Sequence, residues 1–426
     1  MAHNGLQDDH SKAAKLAEFL SNSPCSIDGE LLLNAHVQNL VEKQACSTPS
    51  TVESDALHLI RLRLSSPCSS VSPWSALLAK APNLEGLSFH GFSDSVGWSA
   101  IAQTKSLANL KVLRMYAADP TFFAPELPTF LSFLRNLPNL TDLTLSDVRF
   151  GKASTGGHFG PIVLLQLRAV TLDLSGGNAF ALLQALALPP RVVVKVRNDN
   201  SDYTVDPCTL TDAVSRIKAS VVRGTLRTLS ISTSGNNVRL AAGGPHPGWN
   251  WAPNLLELDL PSDADLISRA CAALPLAGVR TVRIDPAVLD GRATGIVRAA
   301  LACVPEAGQL VISGTGCARA LALLFADDDR SIPLLPELSG LSLDETGRFS
   351  NVETLLEALP GVVHARIEAA APIPRTRIRH AVDDEDDLPV EALATLLELI
   401  PDVEIEGPAL ELTSCFRHSV GLSNRR

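Results

Sequence analysis

Apolar residues recur along the chain with one spacing, which is clearest in the stretch Leu137-Pro-Asn-Leu-Thr-Asp-Leu-Thr-Leu-Ser-Asp-Val148. At its centre is Leu140-x-x-Leu143-x-Leu145, where leucines alternate with polar residues as the side chains of a β-strand do. The spacing returns, with differing strictness, in thirteen stretches that begin at Asp28, Leu57, Leu84, Leu110, Leu167, Arg191, Leu226, Leu255, Val279, Ala307, Leu338, Val362 and Ile400. The pattern therefore predicts fourteen strands, about 29 residues apart.

Helical periodicity fills the intervals between the predicted strands. Apolar residues three and four apart predict helices over residues 128–136, 211–220, 263–274, 294–303, 318–325, 352–359 and 390–399. Strand–helix units of this length are typical of leucine-rich repeats, which bury their apolar faces by stacking. We therefore predict an α/β leucine-rich-repeat solenoid, with a curved parallel sheet and with helices on its convex face.

The predicted boundaries are a disordered tail over residues 1–12, an irregular leucine-rich-repeat domain over residues 13–412 and a C-terminal tail over residues 413–426. Residues 197–209, 232–252 and 369–389 exceed the usual length of a connection, and such loops are either functional or disordered. The second of them carries His246, Trp249 and Trp251 among glycines and prolines. A recognition loop and a loop packed over the sheet edge both fit this composition.

Composition narrows the class of protein. Hydrophobic residues make up 46% of the 426 residues and aromatic residues only 4%, which predicts an aliphatic core. The formal net charge of −10 gives no general attraction to nucleic acid or to an anionic membrane. We find neither a signal peptide nor an apolar run long enough to span a bilayer. A cytoplasmic or nuclear protein that binds neither nucleic acid nor membrane is expected.

Candidate ligand-binding motifs do not survive inspection. The eight cysteines include no Cys-x-x-Cys, and no histidine pair has zinc spacing, so neither a metal nor a cofactor is expected. Residues 310–320 resemble a phosphate-binding turn, but Arg319 replaces the third glycine of the dinucleotide-binding fingerprint. The acidic run at residues 383–387 lacks the spaced ligands of a calcium loop. No catalytic set can be assembled from spacing, and Cys271 and Cys303 are expected to be buried thiols.

Strand alternation also predicts the side chains of the concave face. In Leu-x-x-Leu-x-Leu the fifth and seventh positions point away from the core. The candidate partner-binding residues at these positions are Arg61, Arg63, His90, Arg114, Tyr116, Lys195, Arg197, Asp259, Asp285, Asp344 and Glu368. The basic residues of this set come from the N-terminal strands and the acidic residues from the C-terminal strands. An acidic partner is therefore expected to bind toward the N-terminal end. A random surface is the alternative explanation of the charge pattern.

Repeats phrased as Leu-Pro-Asn-Leu-x-x-Leu-x-Leu, with degenerate units between them, resemble the C-terminal region of fungal F-box/leucine-rich-repeat proteins. In that family an N-terminal F-box docks on the Skp adaptor of a cullin ubiquitin ligase, and the repeats hold a substrate. The resemblance implies a non-catalytic protein-interaction scaffold for ubiquitin-ligase substrate recognition. Helical periodicity begins already at residues 12–20, and no F-box is seen before it, so binding of the Skp adaptor is not expected.

Where repeats of this class carry asparagine or cysteine at the ninth position, this chain has residues such as Ser65 and Val148. The asparagine ladder is therefore expected to be missing and the curve of the solenoid to be uneven. Two other functional interpretations stay open, namely an enzyme with a site built from loops and a decayed paralogue without a partner.

The register makes Leu143 a central core residue. Leu143→Ala should lower the free energy of unfolding by about 2–5 kcal/mol, because it removes buried methyl groups and leaves a cavity. Chemical denaturation of the two proteins measures the difference. A loss below about 1 kcal/mol would place Leu143 outside the core.

Overall fold

Strands and helices alternate in the part of the chain that the computed structural model describes. The described residues are 31–33, 61–65, 78, 82–90, 105–116, 123–124, 126–150, 160–174, 177–197, 205–221, 226–234, 237–244, 255–289, 294–325, 334–345, 352–380 and 390–406. The chain divides into two compact units, unit 1 (Met1–Val221) and unit 2 (Val222–Arg426). Both predicted tails, the acidic run at 383–387 and the loop with His246, Trp249 and Trp251 lie outside the described residues. The predicted boundaries therefore stay predictions.

Unit 1 contains one parallel sheet with helices between its strands. The strands are β1 (Leu31–Leu33), β2 (Arg61–Ser65), β3 (Gly86–His90), β4 (Val112–Tyr116), β5 (Phe123–Ala124), β6 (Asp142–Ser146), β7 (Arg149–Phe150), β8 (Ile162–Val163), β9 (Ala169–Asp173), β10 (Leu186–Ala187) and β11 (Val193–Arg197). The α-helices are α1 (Leu127–Arg135), α2 (Asn178–Ala185) and α3 (Pro207–Ser220), and Lys105–Asn109 is a 3-10 helix. The sheet follows chain order as β1-β2-β3-β4-β6-β9-β11, and the short strands form two further parallel pairs, β5–β7 and β8–β10.

The leucine positions of successive repeats meet across this sheet. Leu87, Leu113, Leu143 and Val170 are register partners in turn, and each is at most 1% exposed. The first leucines of the repeats, Leu84, Leu110, Leu140, Leu226 and Leu338, are buried as well, while Leu255 is half-buried. The predicted parallel α/β leucine-rich-repeat fold is therefore confirmed.

The second strand departs from the predicted register. Leu62 pairs with Leu87 and Leu64 with Phe89. These two leucines take the register positions that the sequence analysis gave to Ile60 and Leu62. The register of β2 therefore lies two residues later than predicted, and a shift by two keeps every side chain on the same face of the strand.

Asparagine ties neighbouring repeats together at an unexpected position. The Nδ2 atom of Asn109 donates to the carbonyl oxygen of Pro82 at 2.8 Å, and that of Asn139 donates to Ala108 at 2.9 Å. Both asparagines stand just before the first leucine of their repeat, at the turn into the strand. Val148, at the ninth position, is buried instead. In these repeats the asparagines therefore link consecutive turns from the start of the repeat.

Unit 2 contains strands β12 (Thr228–Ser234), β13 (Asn237–Gly243), β14 (Leu256–Pro261), β15 (Thr281–Ile284), β16 (Gln309–Ser313), β17 (Gly340–Glu345), β18 (Arg375–His380) and β19 (Asp402–Glu406). Its α-helices are α4 (Ala264–Ala273), α5 (Thr294–Ala302), α6 (Cys317–Phe325), α7 (Val352–Glu368) and α8 (Val390–Leu399), with 3-10 helices at Leu276–Gly278 and Pro286–Leu289. The sheet order is β14-β13-β12-β15-β16-β17-β18-β19. Pairing is parallel from β12 through β15 to β19, but β13 runs antiparallel to both β12 and β14.

Strand β13 corrects the prediction of a long connecting loop over residues 232–252. Ser234 pairs with Asn237, so only Gly235 and Asn236 connect β12 to β13. A Gly-Asn pair between strands is typical of a tight hairpin. Apolar Val238 and Leu240 then alternate with polar neighbours, as a strand requires. The chain consequently turns back through the sheet, and β12 pairs with β15 instead of with β14.

Helix α7 corrects a second prediction. The sequence analysis ended this helix at Leu359 and placed the next strand near Val362. The helix instead continues through Pro360 to Glu368, because Leu355, Leu359, Val363 and Arg366 continue one buried helical face. The strand of this repeat is β18, in a stretch that had been interpreted as a long connection.

Arg366 closes the end of α7. It is only 3% exposed, and its guanidinium donates to the carbonyl oxygens of Ala371 at 2.9 Å, Leu334 at 2.7 Å and Leu335 at 2.9 Å. Ala370 follows the helix with a φ of 56°, and Ala371 N–H returns to the Arg366 carbonyl at 2.9 Å. This is a Schellman-type helix end. Arg366 therefore belongs to the core layer and not to the outward face predicted for it.

Thr376 is the polar exception inside the sheet of unit 2. It is fully buried in β18, between Leu341 of β17 and Val403 of β19. Its hydroxyl finds no hydrogen-bond partner among the described residues. A buried hydroxyl without a partner loses its hydration and gains nothing in exchange.

Thr376→Val should therefore stabilise the protein, by about 1–2 kcal/mol, because it replaces the unpaired hydroxyl with a methyl group. Thr171→Val is the matched control, since Thr171 is half-buried on the outward face of β9. That control should change stability by less than about 0.5 kcal/mol. Thermal unfolding followed by circular dichroism compares the variants, and a less stable Thr376→Val protein would contradict the prediction.

Candidate functional site

The outward face of the unit 1 sheet carries two rows of aligned side chains. We call Arg63, Ser88, Arg114, Thr144, Thr171 and Lys195 the first row, because the backbone pairs them in this order. The second row, aligned in the same way, is Ser65, His90, Tyr116, Ser146, Asp173 and Arg197. The structure describes only the backbone of Arg61, Arg63 and His90, and it places Arg61 opposite Gly86. Strand pairing thus aligns the candidate residues of the N-terminal strands in one sheet.

The described side chains of both rows reach solvent. Arg114 is exposed and forms no ion pair with a described residue, and Tyr116, Lys195 and Arg197 are half-buried. Ser146 Oγ lies 3.3 Å from the Asp173 Oδ2 atom of the next strand. Among the described residues of this face, Arg114, Lys195 and Arg197 are cations. Asp173 and Asp142, the latter at the start of β6, are carboxylates. This face is a polar, slightly basic surface with one aromatic side chain.

The outward face of unit 2 differs from the prediction of an acidic surface. Strand β18 places Arg375, Arg377 and Arg379 among the carboxylates of β17 and β19. Arg375 Nε is 3.2 Å from Asp402 Oδ2, Arg377 Nε is 3.6 Å from Glu404 Oε2, and Arg379 Nη1 is 4.0 Å from Asp344 Oδ2. These ion pairs cancel much of the acidic charge within the sheet itself.

Glu368 does not lie on this face. It is in the last turn of helix α7, where its Oε1 atom is 3.4 Å from His364 Nε2. Asp285 directly follows β15, and Asp344 is the last residue but one of β17. Asp285 accepts from the Ala287 N–H at 3.0 Å and so caps the short 3-10 helix that follows. Both aspartates thus have local contacts that reduce their availability to a partner.

The structure also corrects the prediction that Asp259 is available to a partner. Asp259 is fully buried in β14, and Arg239 Nε and Nη2 bind its two carboxylate oxygens at 2.6 and 2.9 Å. Arg239 stands directly opposite on β13, the strand that the sequence analysis missed. The Oε1 atom of Glu257, which is also buried, lies 3.5 Å from Arg239 Nε. Asp259 therefore serves an internal ion pair and does not present its charge to a partner.

In the glycine-rich turn at residues 310–320, the backbone carbonyl groups are hydrogen-bonded by the side chain of Cys317. Gly314 and Gly316 have φ angles of 134° and 91°, which favour glycine. The thiol of Cys317 donates to the carbonyl oxygens of Ile312 at 3.6 Å and Gly314 at 3.4 Å. The turn thus joins β16 to α6 within the repeat. Over the described ranges, no group of three potential ligands is arranged to hold a metal ion, and no helix is long and apolar enough to cross a membrane.

Comparisons with known proteins give only weak similarities. No family model and no curated protein matches the chain. Among solved structures, it is similar to the leucine-rich-repeat-containing protein LegL7 of Legionella pneumophila, with a TM-score of 0.30, 12% identity and coverage of 93% of this chain and 99% of that one. A Bacteroides fragilis protein gives a TM-score of 0.22, 11% identity and coverage of 87% and 80%.

A third similar structure is the complex of Rad7 and Elc1 in yeast, with a TM-score of 0.28, 13% identity and coverage of 96% of this chain and 94% of the matched chain. Resemblances this weak say nothing about activity or partners. The class of the protein, an α/β leucine-rich-repeat protein, rests on its own repeats and strand register.

The Arg239–Asp259 pair yields an asymmetric prediction. Arg239→Met should destabilise the protein more than Asp259→Asn does, because it leaves a fully buried carboxylate without its bidentate donor. The Arg239 side chain, which loses its partner charge in Asp259→Asn, is 30% exposed and can reach water. We expect about 3–5 kcal/mol for the first change and less for the second. Chemical denaturation measures both, and equal losses would contradict the proposed asymmetry.

Proposed function

We propose that this protein is a non-catalytic protein-interaction scaffold and that the outward face of unit 1 binds its partner. The observation that carries the proposal is the alignment of Arg114 and Lys195 in the first row and of Tyr116 and Arg197 in the second. Parallel strands hold these side chains at fixed heights on a rigid sheet. Exposed arginine and tyrosine side chains are frequent anchors of protein interfaces.

The charge of this face favours a partner with an acidic surface. Arg114 and Lys195 stand three strands apart in the same row, which is about 14 Å at the usual strand spacing. An acidic segment that lies across the strands can therefore contact both. The hydroxyl groups of Thr144 and Thr171, which lie between them in the first row, can supply hydrogen bonds along the same path.

Recruitment of substrates to a ubiquitin ligase is the narrower form of this proposal. It rests on the resemblance of the Leu-Pro-Asn-Leu repeats to those of F-box proteins. Binding of the Skp adaptor is not expected without an F-box, so copurification with other ubiquitin-ligase subunits tests the narrower proposal. Failure of that test leaves the scaffold proposal standing. No contact between described residues favours an enzyme, and a decayed paralogue is the outcome in which no specific partner is captured.

Charge reversal tests the proposed face. Arg114→Glu with Lys195→Glu changes two cations of the first row. Arg216→Glu with Lys218→Glu makes the same change in charge on exposed positions of helix α3. Circular dichroism first checks that both variants fold. Affinity purification followed by quantitative mass spectrometry then identifies proteins that bind the wild type and the α3 variant but not the first-row variant.

With such a partner purified, association at low salt should be slower by about tenfold for the first-row variant and nearly unchanged for the α3 variant, because complementary charge mainly speeds encounter. Stopped-flow or surface-binding kinetics measure the rates. The difference between the variants should shrink as salt rises. Equal effects of the two variants would show that the outward face of unit 1 is not the binding face.

A further inference from the structure

The last described strand of unit 2, β19, has a neighbouring strand on one side only. Among the described strands it pairs with β18 alone, and it stands at the end of the sheet. An edge strand of this kind keeps a row of backbone N–H and C=O groups that can pair with another strand. The edge of β19 is therefore a place where the sheet can be extended.

Apolar side chains of this last repeat are also incompletely covered. Val403 and Ile405 stand on the core side of β19, opposite Thr376 and Ile378 of β18. Thr376 and Ile378 are fully buried, whereas Val403 and Ile405 are only half-buried. In a repeat protein the next repeat covers such side chains. A further strand beside β19 would cover them in the same way.

Strand β18 shows which chemistry fits β19. The outward residues of β18 are Arg375, Arg377 and Arg379, and they alternate with the buried Thr376 and Ile378. Two of these arginines form ion pairs with carboxylates of β19, at 3.2 and 3.6 Å. On its paired side, β19 thus accepts a strand in which cationic side chains alternate with uncharged ones.

Charge favours the same chemistry on the other side of β19. Residues 390–406, which form α8 and β19, include five Asp or Glu residues and no Lys or Arg. The side chains of Asp402 and Glu404 stay 60% and 43% exposed although β18 contacts them. A second copy of β19 would place acidic residues beside acidic residues, and like charges on neighbouring strands are destabilising. A cationic strand avoids this repulsion.

We propose that the edge of β19 is a docking site for a strand of a partner protein in which arginine or lysine alternates with apolar residues. The partner strand extends the sheet through backbone hydrogen bonds, its cations contact Asp402 and Glu404, and its apolar side chains cover Val403 and Ile405. In strand addition to a sheet edge, backbone bonds give affinity and the alternating side chains give specificity. The proposal is independent of the binding face in unit 1.

A synthetic peptide with the sequence of β18, Arg-Thr-Arg-Ile-Arg-His with blocked ends, is the probe. Hydrogen exchange of the full chain, followed by mass spectrometry, should become slower in residues 402–406 when the peptide is present. Fluorescence anisotropy of the labelled peptide measures its affinity. A peptide with glutamate in place of the three arginines should bind about tenfold more weakly or less, because the carboxylates of β19 repel it.

Two double variants of the protein separate the strand edge from general charge. Asp402→Asn with Glu404→Gln should weaken binding of the β18 peptide by about tenfold, because it removes the carboxylates that the arginines contact. Glu391→Gln with Glu398→Gln makes the same change in net charge on exposed positions of α8 and should leave the affinity nearly unchanged. Circular dichroism checks that both variants fold, and the exchange measurement on the wild type needs neither of them.

The proposal is overturned if the peptide slows exchange elsewhere in the chain but not in residues 402–406, or if the two double variants lose equal affinity. It is also overturned if the amides of β19 are protected to the same extent with and without peptide. In that case dilution of the protein identifies what covers the edge, because a second copy is released on dilution and a segment of the same chain is not.

Discussion

The structure of both units depends on the requirement that apolar side chains of adjacent strands meet on the same face and at the same height. Leu113 of β4 meets Leu143 of β6, which in turn meets Val170 of β9. A slip by one residue would turn the buried side chains of a strand to solvent. Burial therefore fixes the register, and the helices complete the layer that covers these side chains. The outward side chains follow this register without determining it, so their chemistry can vary while the repeat persists.

Much of the fold could be predicted because this requirement leaves a regular trace in the sequence. The end of helix α7 and the strand β18 were predicted wrongly, because each of these stretches carries two conflicting sequence signals. Leu359-Pro360 looked like the end of a helix, but the buried face from Leu355 through Val363 to Arg366 keeps helical spacing and outweighs the proline. Residues 375–380 alternate charged and apolar side chains, as a strand with one buried face does, and the expected length of a connection concealed that signal. The Gly235-Asn236 turn was likewise hidden by the glycines and prolines that follow it.

The positions of the candidate residues in the structure depend on the register. In unit 1 the two rows follow from strand alternation, and a shift of two residues in β2 changes the height of its arginines but not their face. In unit 2 the strands that the sequence analysis did not predict, β13 and β18, supply arginines that pair with carboxylates of the neighbouring strands. Asp259 has its charge balanced by Arg239, and the β19 carboxylates by arginines of β18. Pairings of this kind join residues that are distant in the chain, so only the strand order reveals them.

The reversed order β14-β13-β12 has a consequence for how unit 2 assembles. A regular repeat protein can grow by adding each unit to the one made just before it, and its stability is nearly a sum over neighbours. Here β15 cannot join the strand that precedes it in the chain. The segment after β14, which includes helix α4, carries the chain back across two strands, and β15 pairs with the first strand of the hairpin. Loss of β13 would therefore remove the strand that joins β12 to β14, so this hairpin cannot be taken out as a module as a regular repeat can.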